Sequence, residues 1–262
     1  TLLYGFNHDE SFRSFARAAA LDDRAPMPHW GMALALGTNI NDPAPADRLA
    51  RAYTHLAAAQ ARAANGSPAE QALVSALSKR YVSNPTGDQA PREQAYADAM
   101  GEVAKTYPDD PDAATLHAES LMNLRPWRLY DADGAPAPGT ETIVATLERV
   151  MASQPDHPGA NHYYIHAVEA STEPGRATRQ AERLETLVPG AGHLVHMPAH
   201  IYIRTGQYAR SANSNADAAR VERVDEHTLA CKARGDLVRV GHGDDDHVGL
   251  DGGGVGSEAG NG

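Results

Sequence analysis

The sequence is poor in several features that assign proteins to classes. It has one cysteine, Cys231, in 262 residues, which excludes an internal disulfide framework and any cysteine-rich zinc site. No apolar run approaches the roughly 18 residues that a membrane-spanning helix needs, so we expect no membrane span. The formal net charge is −11, and this acidic balance excludes a general nucleic-acid binder, which needs a positively charged surface.

Signatures of known chemistry are also missing from the sequence. It contains no Gly-rich phosphate loop after a strand, no G-x-S-x-G motif and no pattern of a cysteine nucleophile. Aromatic residues make up only 6% of the chain, and β-branched clusters are short and isolated, so signals for strands are weak. The sequence therefore identifies no reaction.

Helical patterns dominate what is present. Amphipathic or alanine-faced segments of roughly 9–19 residues follow one another along the chain. Between them stand short stretches rich in proline and glycine, such as NDPAP, NGSP and QPDHPG. Proline is tolerated at a helix start because its missing N–H would be unpaired there anyway. The sequence thus predicts an all-α fold of helices joined by turns.

A 34-residue interval recurs in the second half of the chain. It separates three pairs of residues: Pro155 and Pro189, His162 and His196, and His166 and His200. Helix–turn–helix units of this length resemble the tetratricopeptide (TPR) repeat, and the spacing of Ser11, Phe15 and Ala18 resembles the small–aromatic–small pattern of its second helix. The segments YGFNHDE and NHYYIHAVE are also similar to bacterial repeat proteins without an assigned activity. The resemblance covers roughly residues 4–224 and implies a right-handed α-solenoid of antiparallel helix pairs.

The ends of the chain differ from this pattern. We expect a helical repeat domain at 1–234 with an insert at 125–140, followed by a Gly/Asp-rich tail at 235–262 that holds 10 of the 23 glycines. Such a tail cannot bury enough apolar surface to offset its ordering entropy, so it is predicted to be disordered and without function. Its composition is also typical of a GC-rich gene read in a shifted frame, in which case the natural protein continues past Ala230 with another repeat. Both termini look truncated, so a removed signal peptide and the compartment are left open.

Histidine is concentrated in two segments, NHYYIHAVEA at 161–170 and HLVHMPAH at 193–200. Residues four apart on a helix share one face, and the first helices of stacked repeats line a concave surface. We therefore expect one groove, with imidazoles within about 10 Å of one another. Its candidate residues are His162, His166, Glu169, His193, His196 and His200.

Two functions fit such a groove. The first is a TPR-type binding or scaffold module that recognises a peptide, a partner protein or a small ligand. The alternative is a metal-binding protein or metalloenzyme, with four metal ligands: His162, His166, His196 and His200. Zinc, copper or iron would suit these imidazoles, and Glu169 and His193 would be a fifth ligand, a general base or supporting groups.

Two interpretations without a ligand at the histidines also fit the sequence. Helix duplication copies a structural histidine pair as readily as a site, and an oligomerisation adaptor is also compatible with the sequence. Trp127 in the insert is expected either in the core or at the rim of the groove.

Overall fold

The computed structural model describes residues 1–233. Within this part of the chain every regular element is a helix and no strand is present, so the prediction of an all-α fold is confirmed. The α-helices are α1 (His8–Leu21), α2 (Pro26–Ala35), α3 (Ala46–Arg62), α4 (Pro68–Leu77), α5 (Ala90–Thr106), α6 (Pro111–Asn123), α7 (Thr140–Ser153), α8 (Pro158–Val168), α9 (Thr178–Leu187), α10 (Gly192–His196), α11 (Pro198–Arg204) and α12 (Tyr208–Ala233). Short 3₁₀ turns occur at Leu3–Gly5, Ala63–Asn65 and Pro174–Ala177.

The proline-rich stretches lie at helix starts, as the sequence predicts. Helices α2, α4, α5, α6, α8 and α11 each have proline in their first two positions. Ser67 and Glu70 form a reciprocal capping box at α4, and the Asp110 carboxylate accepts a hydrogen bond from the Ala113 amide at α6. These side chains satisfy amide groups that have no partner within the helix.

Helices that are consecutive in the sequence are neighbours in space. Each helix from α1 to α8 packs against the helix that follows it, and α9 packs against α11. Their apolar faces join in one continuous core of alanine, leucine, tyrosine and methionine side chains. Residues 1–225 form one compact unit, and a second unit begins at Glu226.

Two of the predicted features concern the carboxy-terminal end of the chain. The predicted tail, 235–262, and the domain limit at residue 234 lie outside the described residues. The expected insert, 125–140, forms the connection between α6 and α7. No helix in the described part of the chain is long and apolar enough to cross a membrane.

The amino-terminal turn lies against α8, and this contact helps to position the histidine cluster. Gly159 allows the approach, because a Cβ atom there would lie 2.5 Å from the Tyr4 ring. A Cβ atom at Gly5 would lie 3.3 Å from the Leu194 side chain of α10. The start of the chain is thus packed onto helices more than 150 residues away in the sequence.

Candidate metal centre

Five imidazoles form a closed ring in the described structure. They belong to His162 and His166 on α8, His193 and His196 on α10, and His200 on α11. Centroids of adjacent imidazoles in the ring are 4.8–5.9 Å apart. The structure thus brings together all five histidines that the sequence placed in a common groove, and Glu169 contacts two of them.

The location of the ring differs from the expected groove surface. His162 is fully buried and His166 is 6% exposed. The Phe6 side chain packs on the cluster, with its ring centroid 4.7 Å from that of His162 and 5.1 Å from that of His193. An apolar segment that the sequence did not connect with the site therefore shields these imidazoles from water.

The hydrogen bond of His162 defines which of its nitrogens is protonated. Its Nδ1 lies 2.6 Å from the backbone carbonyl oxygen of Tyr4. A carbonyl oxygen only accepts hydrogen bonds, so Nδ1 carries the proton and donates it. Neutral His162 consequently presents the lone pair of Nε2, which lies 3.1 Å from Nε2 of His193.

Glu169 holds two further imidazoles through its two oxygens. His166 Nδ1 donates to Oε1 at 2.8 Å, and His200 Nδ1 donates to Oε2 at 2.6 Å. Burial by itself raises the pKa of Glu169, but the hydrogen bonds from His166 and His200 outweigh it and lower the pKa to about 2. The carboxylate is therefore ionised at neutral pH, and Nε2 of His166 is left buried without a hydrogen-bond partner among the described residues.

The pair His196 and His200 completes the ring. The Asn215 side chain donates from Nδ2 to the Ser211 carbonyl oxygen, so its Oδ1 faces His196 and accepts from Nδ1 at 2.6 Å. His200 Nδ1 donates to Glu169, as described above. The Nε2 atoms of the two rings are 2.9 Å apart.

Burial keeps the most enclosed imidazoles neutral. Desolvation and the neighbouring His166 and His193 hold the pKa of His162 well below its usual range. Desolvation also lowers the pKa of His166, against the opposing effect of Glu169. Desolvation and the adjacent histidines lower the pKa of His193 to about 3. Lone pairs are therefore available at neutral pH, and a metal ion would not have to displace protons from these nitrogens.

Two groups of side chains lie close enough to hold one ion, with ligand atoms within 4.8 Å of one another. They are His162 with His166 and His193, and His166 with Glu169 and His200. Members of the second group already hydrogen-bond to one another through Nδ1. The first group offers Nε2 atoms, and two nitrogens bound to zinc at about 2.0–2.1 Å lie roughly 2.9–3.4 Å apart. The separation of 3.1 Å between His162 and His193 fits this range.

The four predicted ligands all lie in the ring, and the groups close enough to hold one ion also include His193 and Glu169. The 34-residue interval placed His196 beside His162, whereas the structure places His193 there. His196 instead directs its Nδ1 towards Asn215 on α12. Glu169 accepts hydrogen bonds from two imidazoles. The sequence had suggested a fifth ligand, a general base or a supporting group at this position. Trp127 is a rim residue, as one alternative held: it is 59% exposed, and its ring lies edge-on to His166 at 5.6 Å.

Some residues of the site had no signal in the sequence. The Tyr4 carbonyl oxygen and the Phe6 ring come from a 3₁₀ turn that helical periodicity does not detect. Asn215 looked like an ordinary polar residue of an amphipathic helix. No local motif would have identified these residues, because the contacts depend on how distant segments pack.

No protein-family model matches the chain, and no curated protein matches it.

Proposed function

We propose that this protein binds a transition-metal ion through the Nε2 atoms of His162, His166 and His193. The observation that carries the proposal is the direction of the hydrogen bonds on the other ring nitrogen. Nδ1 of His162 donates to a carbonyl oxygen and Nδ1 of His166 to a carboxylate. Histidines that bind metals nearly always donate their second N–H in this way, which fixes the tautomer and the ring orientation.

The chemistry of the donors favours zinc or copper. Imidazole nitrogen suits zinc, copper, iron and nickel, and affinity for divalent ions generally rises towards copper. Three protein ligands leave a coordination position for water or another molecule, as in catalytic zinc sites. In this proposal Glu169 orients His166 and His200 and does not bind the ion.

The binding-module interpretation stays a prediction. A peptide or partner protein in the groove would have to touch the histidines, but His162 is fully buried and His166 nearly so. A small ion reaches such a cluster more readily than a peptide does. The burial therefore favours a metal over a peptide at these residues.

We also infer that residues 4–224 form a tetratricopeptide-like solenoid. The 34-residue interval and the packing of each helix on the next support this arrangement, because stacked repeats contact mainly their neighbours. A crystal structure tests it: successive helix pairs should superpose with one repeated rotation, and pairs that do not superpose would contradict the assignment.

Metal content tests the metal proposal. The full chain, purified without a histidine tag, would be stripped with a chelator, dialysed against zinc or copper and measured by elemental analysis. We expect about one ion per chain, consistent with a single three-histidine site. His193→Ala should lose the ion, because it removes one of the three ligands.

The control is a histidine outside the cluster. His117→Ala removes an imidazole on α6 that makes no contact with the ring, and it should bind as much metal as the unaltered chain. Circular dichroism would confirm that both variants fold. Equal metal content in the two variants, or none in the unaltered chain, would contradict the proposal.

A further inference from the structure

The Phe6 side chain completes an arrangement of four rings at the proposed metal site. Its ring centroid lies 4.7 Å from that of His162, 5.1 Å from that of His193 and 6.3 Å from that of His166. The three imidazole centroids are 4.8–6.2 Å from one another. All six separations are thus similar, so the four rings stand at the corners of an irregular tetrahedron. Three corners offer nitrogen, and the fourth is a phenyl ring, which has no lone pair to give to a metal ion.

Phe6 is held in this place by its surroundings. Its backbone has a φ of 53°, in the left-handed region that is strained for a bulky side chain, and such strain persists where the rest of the structure enforces it. Its ring also stacks on that of His8, with 5.6 Å between centroids. Because Oδ1 of Asn39 accepts from the Asn41 amide, its Nδ2 donates to Nε2 of His8 at 3.0 Å. His8 therefore supports the Phe6 ring and does not offer this nitrogen as a fourth ligand.

The surroundings of the site also favour an ion of low charge. His162 and His166 are buried, and the three proposed ligands are neutral imidazoles. Glu169 brings a single negative charge through its hydrogen bond to His166. The free energy needed to remove an ion from water rises steeply with its charge, so a monovalent ion is easier to bury here than a divalent one. One positive charge also balances that of Glu169.

We infer that Phe6 makes this centre prefer copper(I) to zinc(II). Zinc in proteins completes its coordination with a fourth side chain or a water molecule, whereas copper(I), a d¹⁰ ion of single charge, is stable with three nitrogen ligands. A phenyl ring at the fourth corner obstructs that fourth ligand and leaves an apolar site with three nitrogens. The inference rests on the proposed metal site and names the ion that the site prefers. Zinc still binds, but more weakly than copper(I).

Phe6→His tests the inference, because it turns the fourth corner into a nitrogen donor. Histidine is also among the residues that enter the left-handed region most readily. The metal-stripped full chain, purified without a histidine tag, would be titrated with zinc chloride against a chromophoric chelator, and under argon with copper(I) against bicinchoninate. We expect the unaltered chain to bind copper(I) more tightly than zinc, with three nitrogen neighbours in the X-ray absorption spectrum of the bound copper.

In Phe6→His the zinc affinity should rise at least about tenfold, because a direct ligand should contribute no less than the supporting groups, whose loss weakens binding about 10–100-fold. The copper(I) affinity should change less, so the preference for copper(I) falls. Phe6→Leu keeps an apolar side chain without a donor and should retain the ratio of the two affinities. This ratio is the decisive measurement, since a variant that only destabilises the fold weakens the binding of both ions together.

A second control places a new histidine away from the cluster. Phe15 packs against Gly31 between α1 and α2, and Phe15→His should leave the zinc affinity unchanged. Tighter binding of zinc than of copper(I) by the unaltered chain, four nitrogen neighbours around its copper, or an unchanged ratio in Phe6→His would overturn the inference and leave the metal proposal standing. Binding of neither ion would overturn both.

Discussion

Glu169 is the residue on which the orientation of two imidazoles depends. Its two oxygens accept from His166 and His200, and these hydrogen bonds lower its pKa to about 2. A glutamine at this position keeps the shape but offers only one acceptor oxygen, so one imidazole loses its fixed tautomer. The same carboxylate makes His166 a stronger ligand, because an anionic acceptor raises the basicity of the ring.

Glu169→Gln should therefore weaken metal binding by about 10–100-fold, the usual effect of removing such a supporting group. Competition with a chromophoric zinc chelator measures this change. Glu173→Gln, on the exposed loop four residues further on, is the control and should not alter the affinity. An unchanged affinity in Glu169→Gln would mean that the carboxylate does not support the site.

Glu119 controls a different property, the dependence of stability on pH. It is 7% exposed and accepts a hydrogen bond from Asn123. Burial raises its pKa to about 7, against the opposing charge of Arg80. In the unfolded chain the pKa of glutamate is about 4.3. The folded state thus holds its proton more tightly, so this contribution to stability is complete below about pH 4.3 and is lost as the pH rises to about 7.

Glu119→Gln should remove this contribution to the pH dependence. The free energy of unfolding, measured by urea denaturation, should fall relative to the variant by on the order of 2–3 kcal/mol between about pH 4.3 and 7. The difference between the two proteins isolates Glu119 from the other groups that titrate. A difference that is constant across this range would show that Glu119 is not protonated in the fold.

At the scale of helices, the 3₁₀ turn Leu3–Gly5 packs on α8 beside the candidate metal centre. The Tyr4 ring packs on Gly159, and the Tyr4 carbonyl oxygen accepts from His162 one turn further along α8. Moving the turn away from α8 would therefore break the hydrogen bond that defines the His162 tautomer. We therefore expect a change in the packing at Gly159 to alter the affinity of the proposed site for metal.

Gly159→Ala tests the link. The added methyl group would meet the Tyr4 ring at 2.5 Å, which should cost about 1–3 kcal/mol of stability as overpacking and weaken zinc binding. Gly31→Ala is the matched control, since its Cβ would meet the Phe15 ring at 2.4 Å between α1 and α2. It should destabilise the fold similarly and leave zinc affinity unchanged. Equal affinity in both variants would refute the link.

The helical elements could be predicted from the sequence, but the details of the site could not. Hydrophobic periodicity and the positions of proline predicted the helices. The interval between His162 and His196 predicted that the two histidine segments lie close together. The interval could not show that α10 ends at His196 and α11 begins at Pro198, nor that His193 lies beside His162. The hydrogen-bond partners of the imidazoles could not be predicted either. The Tyr4 carbonyl oxygen is 158 residues from His162, and every residue has a carbonyl oxygen, so the sequence does not single this one out.

For the molecule as a whole, the candidate metal centre joins segments from both ends of the compact unit. Its three proposed ligands lie on α8 and α10, and through the Tyr4 carbonyl oxygen they are connected to the start of the chain. A narrow cleft lined in part by His166 and Glu169 lies beside this centre. An ion bound only by the folded state would therefore stabilise the entire unit rather than one helix.

Thermal unfolding with and without zinc measures this stabilisation. At a free zinc concentration of 100 times the dissociation constant, binding to the folded state alone adds about 2.7 kcal/mol. For a unit of this size each kcal/mol shifts the melting temperature by about 2–4 °C, so we expect a rise of roughly 5–10 °C. His117→Ala should show the same rise, whereas His193→Ala should show little. A rise of equal size in His193→Ala would place the zinc elsewhere on the chain, because the variant lacks one of the three imidazoles that the ion needs.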